Sequence, residues 1–426
     1  MIAILGGGVS GISAGYHLGL RGIENTVFEK KPSWGGLCDN FTVDKKYRFD
    51  YFVHLSFGDD EYLNKVFSKS TDYNIHKPIG YNFYHGYWIK HPAQNNLASL
   101  PAEVKTKIIL DFINRPDITD PKNYNEWLLA QFGDFFAKNL PGAYTRKYWT
   151  IPANQMTTDW LGPRFSLPPL EKLLKGAFEE QQENYYYIKE MRYPRKGGFK
   201  AFLQKMAAKT NIHTNKEVVL IDLKSKRIDF SDHSSVYYEQ LVSSLPLPEL
   251  IKRIKDVPSA VLEASKKLLN TSGQLVSLGF NRPDIPKNLW FYIYDEDILP
   301  ARAYSPSLEA LDNAPADKSS LQFETYFSKK KRAKLKGGAL IEHIVEKGVK
   351  MGLFSNKDIE VSDYREVKYA NVVFDFNRKK NVAIIHEYFD EKKISYIGRF
   401  GEWAYLWSNH CILSGKRVAE KLIIDQ

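Results

Sequence analysis

Cysteine is scarce in this chain: Cys38 and Cys411 are the only two in 426 residues, and they lie far apart. Neither sits at a metal-ligand spacing, so disulfide frameworks and cysteine-held metals are set aside. Two reduced thiols in a cytoplasmic protein are expected. No run approaches eighteen apolar residues, so no membrane span is expected. The N-terminus lacks a basic-then-apolar leader, which gives no reason to expect secretion. There is no H-E-x-x-H and no Ser-His-Asp order, so metal-hydrolase and serine-hydrolase chemistry receive little weight. No internal repeat or low-complexity stretch is visible.

What is present is ordinary globular composition, 43% hydrophobic and 26% charged, in a chain long enough for two or three domains. A net charge of +10 favours anionic partners. No aromatic-basic RNA motif or basic helix stands out, so nucleic acid is not expected. The densest basic run, Lys329-Lys330-Lys331-Arg332 with Lys334 and Lys336, reads as a solvated loop or helix start, with contact to an anionic membrane surface as the weaker reading. An acidic substrate such as a nucleoside diphosphate explains the charge bias as well. Aromatic content of 14%, with 26 tyrosines, suits a site that stacks rings and donates hydroxyls to phosphate.

The stretch that organises the chain is its first forty residues. Met1 to Leu5 read as a short buried strand ended by glycine. Gly6, Gly8 and Gly11 then fall at G-x-G-x-x-G spacing and open a helix that runs to about Leu20. Such glycines serve a tight turn, a close approach to a pyrophosphate and close helix-on-strand packing, with the phosphates on the helix N-terminus. A second strand, Thr26-Val27-Phe28, ends in Glu29, about the offset at which a carboxylate grips a ribose hydroxyl. Trp34-Gly35-Gly36-Leu37 resembles the second glycine pair of FAD enzymes of the amine-oxidase and mutase type. NAD is the other ligand compatible with the fingerprint.

Apolar periodicity divides the rest. Val104, Ile108, Ile109 and Phe112, then Leu128, Phe132, Phe135, Phe136 and Leu140, repeat at helical spacing and predict a helical insert. Val218 to Ile221 reads as a buried strand, followed by strands at Arg227 to Phe230 and Leu241 to Leu245. Further strands are expected at 275–280, 289–294 and 321–327, then a long amphipathic helix through Leu340, Ile344, Val345 and Val349. A helix at 382–389, a strand at 394–397 and a helix at 412–424 close the chain. The expected fold class is α/β, an FAD-binding Rossmann-like doubly wound domain with a helical insert and a β-sheet-rich substrate domain. The divisions are 1–95 with 193–246 and 380–426 for the cofactor, 96–192 for the insert, and 247–379 for substrate.

Several separate blocks then resemble the flavin-dependent UDP-galactopyranose mutases, especially the eukaryotic type, within the amine-oxidase-like FAD group. The segment KYWTIPANQMTTDWLGPRF, residues 147–165, is similar to the mutases' tryptophan-proline and Trp-x-Gly-x-Arg pattern and supplies Trp160 and Arg164. Arg302 in PARAYSP resembles the arginine placed against the substrate diphosphate, and Tyr369 in KYANVVFD a tyrosine near the same phosphates. GRFGEWAYLWSN carries Gly398, Arg399, Tyr405 and Asn409 at the family's spacing for residues reaching flavin and nucleotide sugar. His54 lies where the mutases place a histidine against the isoalloxazine.

The resemblance implies cofactor contacts from Gly6, Gly8, Gly11, Glu29, Gly35, Gly36, Val218, Gly398 and Arg399. It implies catalytic roles for His54, Arg302 and Arg399, and substrate contacts from Trp160, Arg164, Tyr369, Tyr405 and Asn409. It further implies a reduced FAD, with NAD(P)H as reductant, acting as nucleophile at the anomeric carbon of a nucleoside-diphosphate sugar. The net change is pyranose to furanose, serving surface polysaccharide synthesis; a homo-oligomer is left open. One departure stands out. The family shows two glycines just before the histidine, where this chain has Phe52-Val53. A flavin oxidoreductase acting on a nucleotide sugar or small amine is therefore the alternative.

Overall fold

The computed structural model describes residues 1–58, 60–162, 168–182 and 188–424. Ile2–Leu5 is the middle of a five-stranded parallel sheet, ordered 212–213, 25–28, 2–5, 240–243 and 394–396. The all-apolar sequence IAIL is what a strand covered on both faces requires. Ile2 and Ile4 pack with Ala14 and Leu18 of the helix Val9–Gly19 and with Ala419 and Leu422 of the helix Ser408–Ile424. The expected Rossmann-like α/β core is present, built from both ends of the chain.

Val218–Asp222 departs from expectation. It belongs to a separate three-stranded antiparallel sheet with Arg227–Phe230 and Ser235–Tyr237. A register shift between Val218 and Leu220 breaks the alternation, so Val218 and Ile221 face inward while Val219 and Leu220 are exposed.

The helical periodicity resolves into Ala102–Ile113, Tyr124–Phe132, Asp134–Asn139, Pro141–Tyr148 and Leu170–Phe178. Asn123 starts the second of these, its side-chain oxygen accepting the Glu126 amide at 3.0 Å. Buried Leu128, Phe132 and Phe136 join one large core, as amphipathic spacing predicts.

A seven-stranded sheet faces these helices. Its order is 359–372, 270–280, 319–327, 302–304, 290–293, 81–84 and 87–90, antiparallel except where 290–293 meets 81–84. The hairpin 81–90 thus lies in the sheet formed by 270–372, not in the parallel sheet. The amphipathic helix Gly337–Lys350 covers one face, with Leu340 and Ile344 against Val276, Leu278 and Phe323. The other face is left to the helical region. The lysine run is the expected loop, largely exposed and leading into the helix Gly337–Lys350, with two side chains pinned: Lys329 Nζ donates to the Leu268 carbonyl at 2.9 Å and Lys331 Nζ to that of Arg146 at 2.9 Å. Among the described residues no helix is long and apolar enough to cross a membrane.

Candidate active site

The glycine turn builds a narrow cradle. A Cβ on Gly11 would lie 2.0 Å from the Gly6 carbonyl oxygen, so only glycine lets the helix start this close to the strand. Gly8 caps the helix without a side-chain bond, leaving the first-turn amides available to an anion. Glu29 is buried at the end of its strand; it accepts the Gly7 amide at 2.8 Å and the Lys31 amide at 2.9 Å. The Gly35 amide donates to the Gly7 carbonyl at 2.7 Å, and a Cβ on Gly36 would lie 3.0 Å from Gly8 Cα. Gly398, with φ of 76°, abuts Ser10 at the same helix start. Val218 is near the Glu29 end, two residues beyond Lys216, whose amide donates to the Glu29 carbonyl at 2.8 Å. Uncapped amides, close backbone approach and a buried carboxylate fit a dinucleotide.

Next to this cradle a cleft of about 340 Å³ opens between the helical region and the seven-stranded sheet. Leu37, which follows the second glycine pair, and Arg399, which follows Gly398, line it and join it to the cradle. His54, Trp160, Arg302, Arg399 and Tyr405, expected from four distant segments, all line this one space.

Arg302 lies opposite Glu324 in the sheet register. Its Nε donates to the Glu324 carboxylate, its Nη2 to the Tyr326 hydroxyl at 3.3 Å, and it rests 5.4 Å from the centre of the Tyr148 ring. Burial, the strongest single influence, disfavours its charge, but Glu324 together with Tyr326, Tyr148 and Tyr144 holds the guanidinium well above its ordinary value. Arg399 donates Nε to the Leu406 carbonyl at 2.7 Å and Nη1 to Asn371 Oδ1 at 3.1 Å.

His54 turns Nδ1 toward the Phe52 carbonyl at 3.1 Å and packs its ring on Phe199. Burial pushes it down to about 4; the Phe52 carbonyl opposes this, and Arg399 and Arg302 reinforce it, so the ring is neutral near pH 7. Aromatic walls complete the cleft, with Trp149 within 5.0 Å of Trp160 and 5.3 Å of Tyr405 between ring centres. Two guanidinium groups, tyrosine hydroxyls and a largely apolar wall can desolvate and hold a polyanion with rings attached.

The other candidates are placed differently. Tyr369 is not among the lining residues; its hydroxyl donates to Glu249 at 2.7 Å and its ring meets Phe400. The residues that line the cleft from this strand are Ala370 and Asn371, and a register irregularity opposite Thr271–Gly273 breaks the alternation between Val367 and Asn371. Asn409 is buried and ties the C-terminal helix to strand 56–57, donating to the Phe57 carbonyl at 3.0 Å and accepting from Ser56 Oγ at 3.1 Å. Arg164 lies outside the described residues. Sequence reasoning missed Asn371, Glu324, Tyr326, Tyr148 and His91. The register of 302 against 324 was the one signal that could have found Glu324, and it needs the sheet to be known first.

A family model described as an NAD(P)-binding Rossmann-like domain matches residues 4–70. Among solved structures, reduced UDP-galactopyranose mutase superposes with a TM-score of 0.93 at 22% identity, covering 100% of this chain and 96% of that one. Putrescine oxidase bound to putrescine gives 0.67 at 15% identity, with 99% and 98% covered. An oxidoreductase from Methanosarcina mazei gives 0.62 at 14%, with 98% and 99% covered. At these identities the likeness speaks for architecture: over its whole length the chain has the fold of UDP-galactopyranose mutase, built on a Rossmann-like domain.

Proposed function

We propose that the protein is an FAD-dependent mutase interconverting the pyranose and furanose forms of a nucleotide sugar. The observation that carries this reading is that Arg302 and Arg399 line one aromatic cleft beside a dinucleotide cradle. A diphosphate offers several anionic oxygens, and guanidinium groups match them in pairs. The full-length likeness to reduced UDP-galactopyranose mutase supports the same reading.

Bound along the Gly6–Gly11 turn, Glu29 and Gly35-Gly36, FAD supplies when reduced a nucleophile for the anomeric carbon. The chain's own part is to hold the nucleoside diphosphate while it leaves and returns. Arg302, Arg399 and, by its sequence motif, Arg164 supply positive charge; Tyr405 supplies a hydroxyl and Trp160 a flat wall. Held rigidly in a dry cleft, these donors stabilise the leaving group more than water does. Neutral His54 packs beside them without adding charge. Asn409 serves by fixing the C-terminal helix against strand 56–57, and Val218 by closing the Glu29 end of the cradle. NAD(P)H is the proposed reductant and cytoplasmic polysaccharide precursor synthesis the proposed setting. The proposed division is into three parts, cofactor, helical and substrate, with hairpin 81–90 in the substrate-side sheet.

A net-redox flavin enzyme acting on a nucleotide sugar or small amine is the second reading. Phe52-Val53, bulky beside His54, and the oxidase among the structural neighbours favour it. The deciding experiment reduces the yellow protein and offers UDP-galactopyranose. The mutase reading expects a furanose product by NMR with no reductant consumed per turnover. Oxidised or reduced product, with reductant or oxygen consumed in step, replaces it with the second reading.

A further inference from the structure

Glu324 sits in the strand Ser319–Phe327 with no exposure to solvent, and donors from three positions converge on its carboxylate. Arg302 Nε and the Tyr326 hydroxyl donate to Oε2, and the Val53 amide donates to Oε1 at 2.8 Å. One oxygen therefore grips a cleft arginine while the other grips the loop that ends in His54. That loop is held tightly. Phe52 has φ of 72°, a conformation a bulky residue keeps only where its surroundings fix it. Its ring lies 9° from parallel to Tyr326 and fills the space over Gly273, where a Cβ would come within 2.5 Å of it. Tyr326 thus touches the loop through its ring and Glu324 through its hydroxyl.

Buried carboxylate and guanidinium cancel each other, and each is costly when left alone. An anion entering the cleft competes with Glu324 for Arg302. A carboxylate is rigid, so any turn that loosens Oε2 from Arg302 also moves Oε1 relative to the Val53 amide. Coupling of this kind is reciprocal: the loop's placement changes anion affinity by the same factor. The geometry points to Glu324 as a positioning residue that couples occupancy of the diphosphate side of the cleft to the placement of the loop carrying His54. This rests on the nucleotide-sugar reading.

The test uses the full-length FAD-loaded protein labelled with 15N-valine, with UDP as the probe. Val53→Ile, which removes one labelled valine, identifies the Val53 amide resonance. In the wild type, UDP shifts that resonance. Glu324→Gln keeps an acceptor and the shape but removes the charge. Its Val53 resonance moves less on adding UDP, and it binds UDP roughly 3- to 10-fold more tightly, because Arg302 is no longer shared with a carboxylate. UDP also raises the melting temperature of Glu324→Gln more than that of the wild type, since the ligand restores the missing negative charge. A merely structural carboxylate would lower stability without tightening UDP.

Should Glu324→Gln fail to fold, Tyr326→Phe removes one donor from Oε2 and keeps the charges; it shifts the Val53 resonance before UDP is added, and an unmoved resonance overturns the coupling. UDP that binds the wild type while Val53 stays still, or binds Glu324→Gln no more tightly, overturns the coupling alone. A wild type that holds FAD yet binds no UDP overturns the nucleotide-sugar reading and the coupling with it.

Discussion

Asn371 Oδ1 accepts Arg399 Nη1 at 3.1 Å, and the same oxygen accepts the Tyr148 hydroxyl at 3.3 Å. Asn371 is therefore the fixed point that aims one cleft arginine. Replacing it by alanine removes a charged hydrogen bond, for which about 1.5–3 kcal/mol is typical, and UDP affinity is expected to fall about 10-fold or more. Asn371→Asp holds Arg399 harder but sets a negative charge facing the diphosphate, and is expected to bind more weakly still. Tyr369→Phe, whose hydroxyl serves Glu249, should stay within about twofold of wild type, a surface-pair effect. Calorimetric titration with UDP checks all three; a large loss in Tyr369→Phe would return that residue to the site.

Arg302→Ala is expected to cost both function and folding. On the proposed function it removes a diphosphate ligand, and it strands the fully buried Glu324. Breaking a buried pair from one side costs about 3–5 kcal/mol, so the urea midpoint should drop sharply. The double change Arg302→Met with Glu324→Leu should recover much of that stability while UDP binding stays lost. Recovery of binding in the double variant would mean that Arg302 does not hold the ligand.

Gly11→Ala tests the cradle. Its Cβ would collide with the Gly6 carbonyl, so the helix must back away from the end of strand 2–5, where the Gly7 amide holds Glu29. The variant should purify without its yellow colour and with little change in far-ultraviolet circular dichroism. Retention of stoichiometric FAD would show that the pyrophosphate is held elsewhere.

Acid stability carries two opposed contributions. Burial holds His54 down to about 4 against an ordinary 6.5, so between those values the unfolded chain takes up a proton that the folded form refuses. Stability from this group falls as pH drops through that window. Asp50 behaves oppositely. Burial pushes it up to about 7 from 3.8, against hydrogen bonds from Tyr193 and the Phe199 amide, so folding binds the extra proton and stability rises as pH drops. In Asp50→Asn the urea midpoint should fall more steeply from pH 6.5 to 5 than in the wild type. Parallel curves would contradict the assignment.

The sequence made the cradle readable because its requirements are local: glycine where backbone meets backbone, an acid at a strand end. Arg302 and Arg399 were readable through the blocks around them, although nothing local says they meet. Asn371 and Glu324 were not readable. Tyr369 and Asn371 are two apart, so simple alternation gives them one face; the irregularity opposite Thr271–Gly273 separates them. Glu324 looks like any charged residue in a strand until Arg302 is known to lie across from it. Val218–Ile221 misled for a related reason, since a bulge lets two apolar side chains point outward. Registers and bulges arise from partners remote in sequence, and no window of one strand contains them.

The parallel sheet begins with residues 2–5 and finishes with residues 394–396, and the helix Ser408–Ile424 packs on Val9–Gly19. On the ribosome, the strand 2–5 must wait until residues 394–396 and 408–424 emerge before its sheet has its last strand and its covering helix. Until then the edge at Gln240–Ser243 and an apolar helix flank stand open to other chains. Gly398 and Arg399 arrive in that same late stretch, so the pocket is walled on every side only after they have emerged.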